Sequence, residues 1–305
     1  MKYRLKPTKA QAHLLQDQLE ECRCLYNHFL AERRDAWDER QESLSYYQQA
    51  ITLPALKEDC ADLSLVHSQV LQNVAVRVDL AFKAYFRRCK AGDEKPGYPR
   101  FRGYGRYDSM TFPQYGNGCQ LVDGVLKLSK VGALRVVQHR PLEGTPKTCT
   151  IRHSSTGKWY VTIACEVEAQ PLPSTGAAVG IDVGLLSFAT LSTGESTPCP
   201  KFLRTDEKDL KRTQRKLSAA TKGTPERKKR RKIVARIYER ISNRRTNFAH
   251  QESRRLVNRF DVIAVEDLSV NRMVHNHCLA KSIQDAAWSQ FTTFLAYKAA
   301  YAGKT

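Results

Sequence analysis

Two acidic residues stand out because each closes a short apolar run. Asp182 follows residues 178–181 in AVGIDVGLLSFATLS (178–192), and Glu266 follows residues 262–265 in FDVIAVEDL (260–268). Val179, Ile181 and Val183 are β-branched and suit a sheet. Gly180 and Gly184 flank Asp182, and Gly184 is expected to permit a tight turn into a second strand. A carboxylate inside a buried strand is costly unless it is paired or metal-bound, so Asp182 needs a reason. Two strands that each deliver a carboxylate, joined through a helical segment, can share a divalent ion. Hard oxygen ligands select Mg²⁺ or Mn²⁺. Paired ions of this kind clamp the attacking and leaving oxygens of a phosphodiester during hydrolysis. The plainer reading leaves Asp182 capping a turn and Glu266 on the surface at a strand end.

The charge of the chain favours a phosphate-bearing partner. Its 305 residues carry a net charge of +19, which is tolerated most readily when a polyanion is bound. Residues 201–259 hold 21 Lys/Arg against 6 Asp/Glu, most of that excess. They read as two helices, about 206–220 and from Pro225 onward, with Thr224 as N-cap and Ile233, Ile237 and Ile241 on one face. Lys228, Lys229, Arg230, Arg231, Arg244 and Arg245 lie on the second and are candidate phosphate contacts. A membrane is not the expected partner, because no run approaches the roughly 18 apolar residues of a span. The start, MKYRLKPTKAQ, has no apolar signal core, and a cytoplasmic protein is expected. The nine cysteines form no CxxC pair, so reduced thiols are expected rather than a disulfide framework or a zinc site.

The elements that position these groups follow in order. Residues 2–6 alternate as a short edge strand. Thr8 caps a helix over about 9–40, with Leu15, Leu19, Cys22, Tyr26, Phe29 and Leu30 at helical spacing. A second long helix covers about 67–91, and Gln69, Gln72 and Asn73 near its start could read base edges or phosphates. Residues 92–109 are rich in Gly, Pro, Tyr and Arg. There Arg100, Arg102 and Arg106 alternate with Phe101, Tyr104 and Tyr107, a texture suited to phosphate contact and base stacking. From 110 to 168 the pattern is β, with turns at Asp123-Gly124 and Thr156-Gly157, and suggests a small barrel. QPLPSTG (170–176) reads as a linker. Asp285, in the last helical stretch, is read as a polar helix residue or, alternatively, as a further lining of the acidic site.

These pieces together resemble the TnpB (OrfB) family of transposon-encoded proteins, relatives of the type V CRISPR nucleases. The resemblance rests on RCLYNHFLAERR, YPRFR (98–102), GIDVGLLSFATLS around Asp182, VEDLSV around Glu266, and LAKSIQDAAWSQF followed by LAYKAA. It covers nearly the whole chain in family order. It implies an α+β multidomain fold, with a helical recognition lobe (9–92) inserted in a small β-barrel (1–8 with 93–170). After a linker (171–176), an RNase H-like (RuvC) α/β domain (177–305) is implied, with a basic helical insertion at 206–260. It further implies an RNA-guided DNA endonuclease using Mg²⁺ or Mn²⁺, with guide RNA from its own element's end and double-stranded DNA as partners. Asp182 and Glu266 match the catalytic aspartate and glutamate, and also the metal ligands. Tyr46, Gln69, Gln72 and Asn73 fall where the family approaches the motif-bearing duplex. The family pattern continues past YKAA with a last strand, a zinc ribbon and a final helix carrying a third catalytic aspartate, none of which these residues match. Zinc is therefore not expected here, and an open sheet edge with exposed apolar surface is. The alternative reading is a relative that binds guide RNA and target DNA without cleaving.

Overall fold

The computed structural model describes residues 1–305, apart from the side chain of Asn271. The chain divides into two compact units, Met1–Val167 and Glu168–Thr305. Among the described residues no helix is long and apolar enough to cross a membrane.

The first unit opens with strand β1 (Lys2–Lys6) and helix α1 (Lys9–Arg40). Thr8 starts α1 through a capping box: its side chain accepts from the Gln11 N–H, and the Gln11 side chain accepts from the Thr8 N–H. Short helices α2 (Tyr46–Ile51) and α3 (Leu53–Asp59) and a 3-10 turn (Ala61–Leu65) lead to α4 (Ser68–Lys90). Strands β2 (Ser109–Phe112), β3 (Cys119–Val122), β4 (Val125–Leu128), β5 (Gly132–Val137), β6 (Thr145–His153) and β7 (Trp159–Glu166) complete the unit. They form one seven-stranded sheet in the order β2-β6-β7-β1-β5-β4-β3.

That order corrects one sequence expectation. β1 is central, antiparallel to both β5 and β7, and not an edge strand. The helices enter the chain between β1 and β2, yet Leu15, Phe29, Val70 and Val78 share one continuous core with Tyr3, Phe112, Ile151 and Ile163 of the sheet. The sheet curls until β3 approaches β6 and is nearly closed. Tyr115 N–H donates to the Lys147 carbonyl at 2.9 Å, and Cys119 joins Cys149 in a disulfide. The expectation that all nine cysteines stay apart fails at this pair, because strands distant in sequence bring the two buried thiols together. The other seven are free.

The second unit begins with β8 (Ala178–Asp182), β9 (Ser187–Leu191) and β10 (Ser196–Pro198). Helices α5 (Phe202–Ala219) and α6 (Pro225–Arg259) lead to β11 (Val262–Val265), and α7 (Val270–Met273), α8 (Ala280–Ala286) and α9 (Trp288–Tyr301) follow. The sheet order is β10-β9-β8-β11. β8, β9 and β10 are antiparallel neighbours, whereas β11 runs parallel to β8. A parallel pair needs a long crossover, and α5 with α6 supplies it. One sheet face buries Val179, Ile181 and Leu191 against Leu256 and Val257 of α6 and Phe291 and Leu295 of α9. Lys298 of α9 is buried there and donates to the His250 carbonyl and the Ser253 hydroxyl, both at 2.7 Å. Loss of hydration pushes its ammonium down to about 8. Residues 172–176 are no free tether. Asp261 accepts from Ser174 Oγ and from the Thr175 and Gly176 N–H groups, and also pairs with Lys304.

Candidate active site and nucleic-acid interface

The parallel register decides where the two acids meet. Val262, Ile263, Ala264 and Val265 stand opposite Ala178, Val179, Gly180 and Ile181. Glu266 directly follows the last residue of β11 in this pairing and Asp182 that of β8, so the register continued by one step puts them at the carboxyl ends of adjacent strands, about 4.8 Å apart along the sheet. Side chains alternate along a strand, so while Ile181 and Val183 turn into the core, Asp182 lies on the opposite, exposed face. Burial is therefore not what Asp182 has to offset; its surroundings are open to solvent. Neither carboxylate accepts a hydrogen bond or an ion pair from the described residues. Two unpaired, acceptor-only groups on neighbouring strands suit a hard divalent cation, since Mg²⁺ typically takes one or two carboxylates and completes its shell with water and phosphate.

The turn after Asp182 is tight, but not through the left-handed backbone expected of glycine. A Cβ on Gly184 would lie 3.1 Å from the Ser187 carbonyl, so close approach is the constraint there. β9 then carries a bulge: Thr197 pairs with Ala189 and Pro198 with Ser187, leaving Phe188 extra. The added residue turns Phe188 inward, against the rings of Phe248 and Phe291. On the other side Ser192 closes the ladder. Its N–H donates to the Gly180 carbonyl, and its hydroxyl accepts from the Gly180 N–H at 3.0 Å, two residues before Asp182.

Asp285 does not join this pair. It is buried on α8, accepts from the Leu203 N–H at 2.9 Å and from Arg245 at 2.6 Å, and so caps α5 while holding α6. The remaining edge of β11 faces a cavity of about 610 Å³ lined by Ile263, Val265, Leu268, Trp288, Leu295 and Ala299, with Glu266 at its rim. The indole N–H of buried Trp288 has no partner among the described residues. Thr305 lies along the same edge: its N–H donates to the Asp261 carbonyl, and its own carbonyl accepts from Ile263.

The basic candidates separate into engaged and open groups. Arg244 shares Asp206 with Arg240, Arg245 is taken by Asp285, and Arg230 pairs with Glu226 one turn away. Lys228, Lys229 and Arg231 are exposed, with no carboxylate partner among the described residues. In the first unit, Arg100, Arg102 and Arg106 are all exposed. Asn27 grips the backbone of Arg102 from both sides, at 2.7 and 2.9 Å, which fixes the segment to α1. The Arg102 guanidinium lies over the Tyr26 ring. Gln69, Gln72 and Asn73 share one face of the start of α4. Gln72 is exposed, Gln69 bonds Gln114, and Asn73 accepts from Arg77. Tyr46 is half-buried against the core beside Tyr47. Sequence reasoning missed Asn27 and Ser192, whose roles depend on contacts to distant backbone.

Known proteins are similar to this chain in sequence. Residues 162–277 match the OrfB_IS605 family, described as "Probable transposase". Residues 1–42 match a helix-turn-helix domain of the same group, although here they form β1 and the single long helix α1. A Streptomyces pristinaespiralis protein named "Putative RNA-guided DNA endonuclease" is 38% identical over 309 residues, spanning 99% of this chain and 75% of the relative. The similarly named InsQ of Escherichia coli K12 is 27% identical over 320 residues, covering 99% and 78%. A solved CRISPR-Cas12f ternary complex aligns over 93% of this chain and 70% of its own at 10% identity and a TM-score of 0.37, too distant a likeness to support either fold or function.

Proposed function

Because the chain belongs to the OrfB (TnpB) family, we propose that it is an RNA-guided DNA endonuclease whose phosphodiester hydrolysis centres on Asp182 and Glu266. The observation that carries this reading is the β8–β11 register, which sets two unpaired carboxylates side by side on an exposed face. The sheet order supports an RNase H-like (RuvC) assignment for the second unit: three antiparallel strands, then a parallel fourth beside the first. Asp182 and Glu266 would hold Mg²⁺ or Mn²⁺, which when bound supplies charge stabilisation at the scissile phosphate.

The chain's own residues do the rest by positioning. Lys228, Lys229 and Arg231 on α6 neutralise phosphates of the bound guide or target. Arg100, Arg102 and Arg106 do so on the first unit, where Phe101 and Tyr104 are exposed for base stacking. Tyr46, Gln69, Gln72 and Asn73 approach the duplex beside the target, and guide pairing reads the remaining sequence. The guide RNA derives from the end of the chain's own element.

The test is cleavage of a labelled duplex by the chain purified with its co-expressed guide RNA in Mg²⁺. Cutting of a matched duplex, absent with a mismatched one or with guide-free protein, is the expected result. Cutting that ignores the guide would overturn the reading. Guide-dependent retention without cutting would make the chain a binder instead.

A further inference from the structure

The exposed face of the second sheet has an unusual composition. β9 places Thr190 opposite Asp182, and β10 places Ser196 opposite Thr190. A row therefore crosses β8, β9 and β10 as Asp182, Thr190 and Ser196, with Glu266 at its head, one residue past the end of β11. All four are exposed. The rest of this face is Ala178, Gly180, Ser187, Ser192, Pro198, Val262 and Ala264, so nothing larger than valine rises beside the row. Helices α6, α8 and α9 pack on the other face. Strand propensity alone does not explain these choices, because Gly, Ala and Ser are poor strand formers and only Thr and Val are favoured. What the positions share is small size, and hydroxyls beside the acids.

Resting on the nuclease reading above, we propose that this face cradles the scissile strand of single-stranded nucleic acid. The strand crosses the sheet along the row, and the Thr190 and Ser196 hydroxyls donate to the phosphate adjacent to the one being cut. Neighbouring strands are about 4.8 Å apart, which puts Ser196 about 10 Å from Asp182 with Thr190 midway. That interval spans one nucleotide step beyond the carboxylate pair. A hydroxyl suits this place better than an ammonium. Lys or Arg one strand from Asp182 would compete with the divalent cation for the carboxylates, whereas Ser and Thr donate to a phosphate oxygen without adding charge. The low neighbours let a sugar-phosphate backbone approach the sheet closely.

The experiment compares single-turnover cleavage by the guide-loaded wild type, Thr190→Val with Ser196→Ala, and Thr190→Ser. Valine keeps the β-branched shape, so the sheet is preserved. Each is given native target, and target with a neutral methylphosphonate at either phosphate flanking the cut. The double variant should cut native target about a hundred-fold more slowly, about ten-fold for each lost hydroxyl at the low end for a hydrogen bond to a charged acceptor. Thr190→Ser should retain the wild-type rate. One methylphosphonate position should slow the wild type by a similar factor but add little in the double variant. A double variant as fast as wild type, or penalties that multiply, would overturn the contact. If the wild type does not cut, the nuclease reading fails separately. The cradle is then read by photo-crosslinking from p-benzoylphenylalanine in place of Ser196, in the guide-loaded complex with uncut target. A crosslink to the target strand supports it, and none overturns it.

Discussion

Replacing Asp285 separates a structural carboxylate from a catalytic one. Its side chain is 5% exposed and that of Arg245 22%. Asp285→Ala strands the Arg245 guanidinium and leaves the Leu203 N–H, in the first turn of α5, without its acceptor. Breaking a buried ion pair typically costs 3–5 kcal/mol, and a lost helix cap about 1 kcal/mol. Arg245 keeps enough solvent contact to hydrate partly, so the low end of the ion-pair range applies and, with the cap, a total of about 4 kcal/mol is expected. Asp285→Asn keeps an acceptor for Leu203 and should cost about half as much. Urea denaturation followed by fluorescence of the buried Trp288, three residues away, reads the effect. Arg245→Met combined with Asp285→Ala should be less destabilised than the separate losses sum to, because no charge is then left stranded. Cleavage by Asp285→Asn should persist at temperatures where it stays folded. A shift below about 0.5 kcal/mol, the range of ordinary surface substitutions, would refute the packing argument. Loss of cutting at unchanged stability would make Asp285 a third carboxylate of the site.

Three other outcomes follow from the same geometry. Lys298 has a folded pKa of about 8, below its unfolded value of about 10.4. Between those values the unfolded state holds more protons, so stability should rise with pH from 8 to 10. Lys298→Met should flatten that rise, and a wild-type midpoint that is level or falling would contradict it. Affinity for DNA should drop steeply with salt, and replacing Lys228, Lys229 and Arg231 by Gln should make the log–log slope shallower by about 3. The same change at Arg244 and Arg245 should alter the slope little, because their charges are already paired; equal effects would refute that division. Ser192→Ala removes the hydroxyl that accepts from Gly180 and should lower stability by about 1 kcal/mol. It should also raise the Mg²⁺ concentration needed for half-maximal cutting, whereas an unchanged requirement would mean Ser192 does not position Asp182.

Much of this arrangement is legible in the sequence, because it is local. Alternation and β-branching mark β8 and β11, and the capping residues Thr8 and Thr224 mark where α1 and α6 begin. The two acids are conspicuous for the same reason, each closing a short apolar run. What the sequence conceals is set by pairing between distant segments. β1 looks like an edge strand until β5 and β7 close on both sides of it. Cys119 and Cys149 look like two reduced thiols until the sheet curls. Asp182 sits in an apolar run and looks buried, yet the strand's alternation delivers it to the open face. Arg244 and Arg245 look like free cations of a basic helix, but Asp206 lies on another helix and Asp285 forty residues on. The row from Glu266 to Ser196 exists only through three strand registers that no single segment encodes.

The central claim is that Asp182 and Glu266 act as one divalent-cation site for guided DNA cleavage. The most direct measurement is the cleavage rate of guide-loaded Asp182→Asn and Glu266→Gln chains on matched duplex in Mg²⁺, beside their affinity for that duplex. Both substitutions keep size and remove charge. Cutting is expected to disappear in each while guide-dependent binding stays at the wild-type level. Wild-type cutting by either variant would contradict the claim, because the register that brings these two carboxylates together would then serve no chemistry.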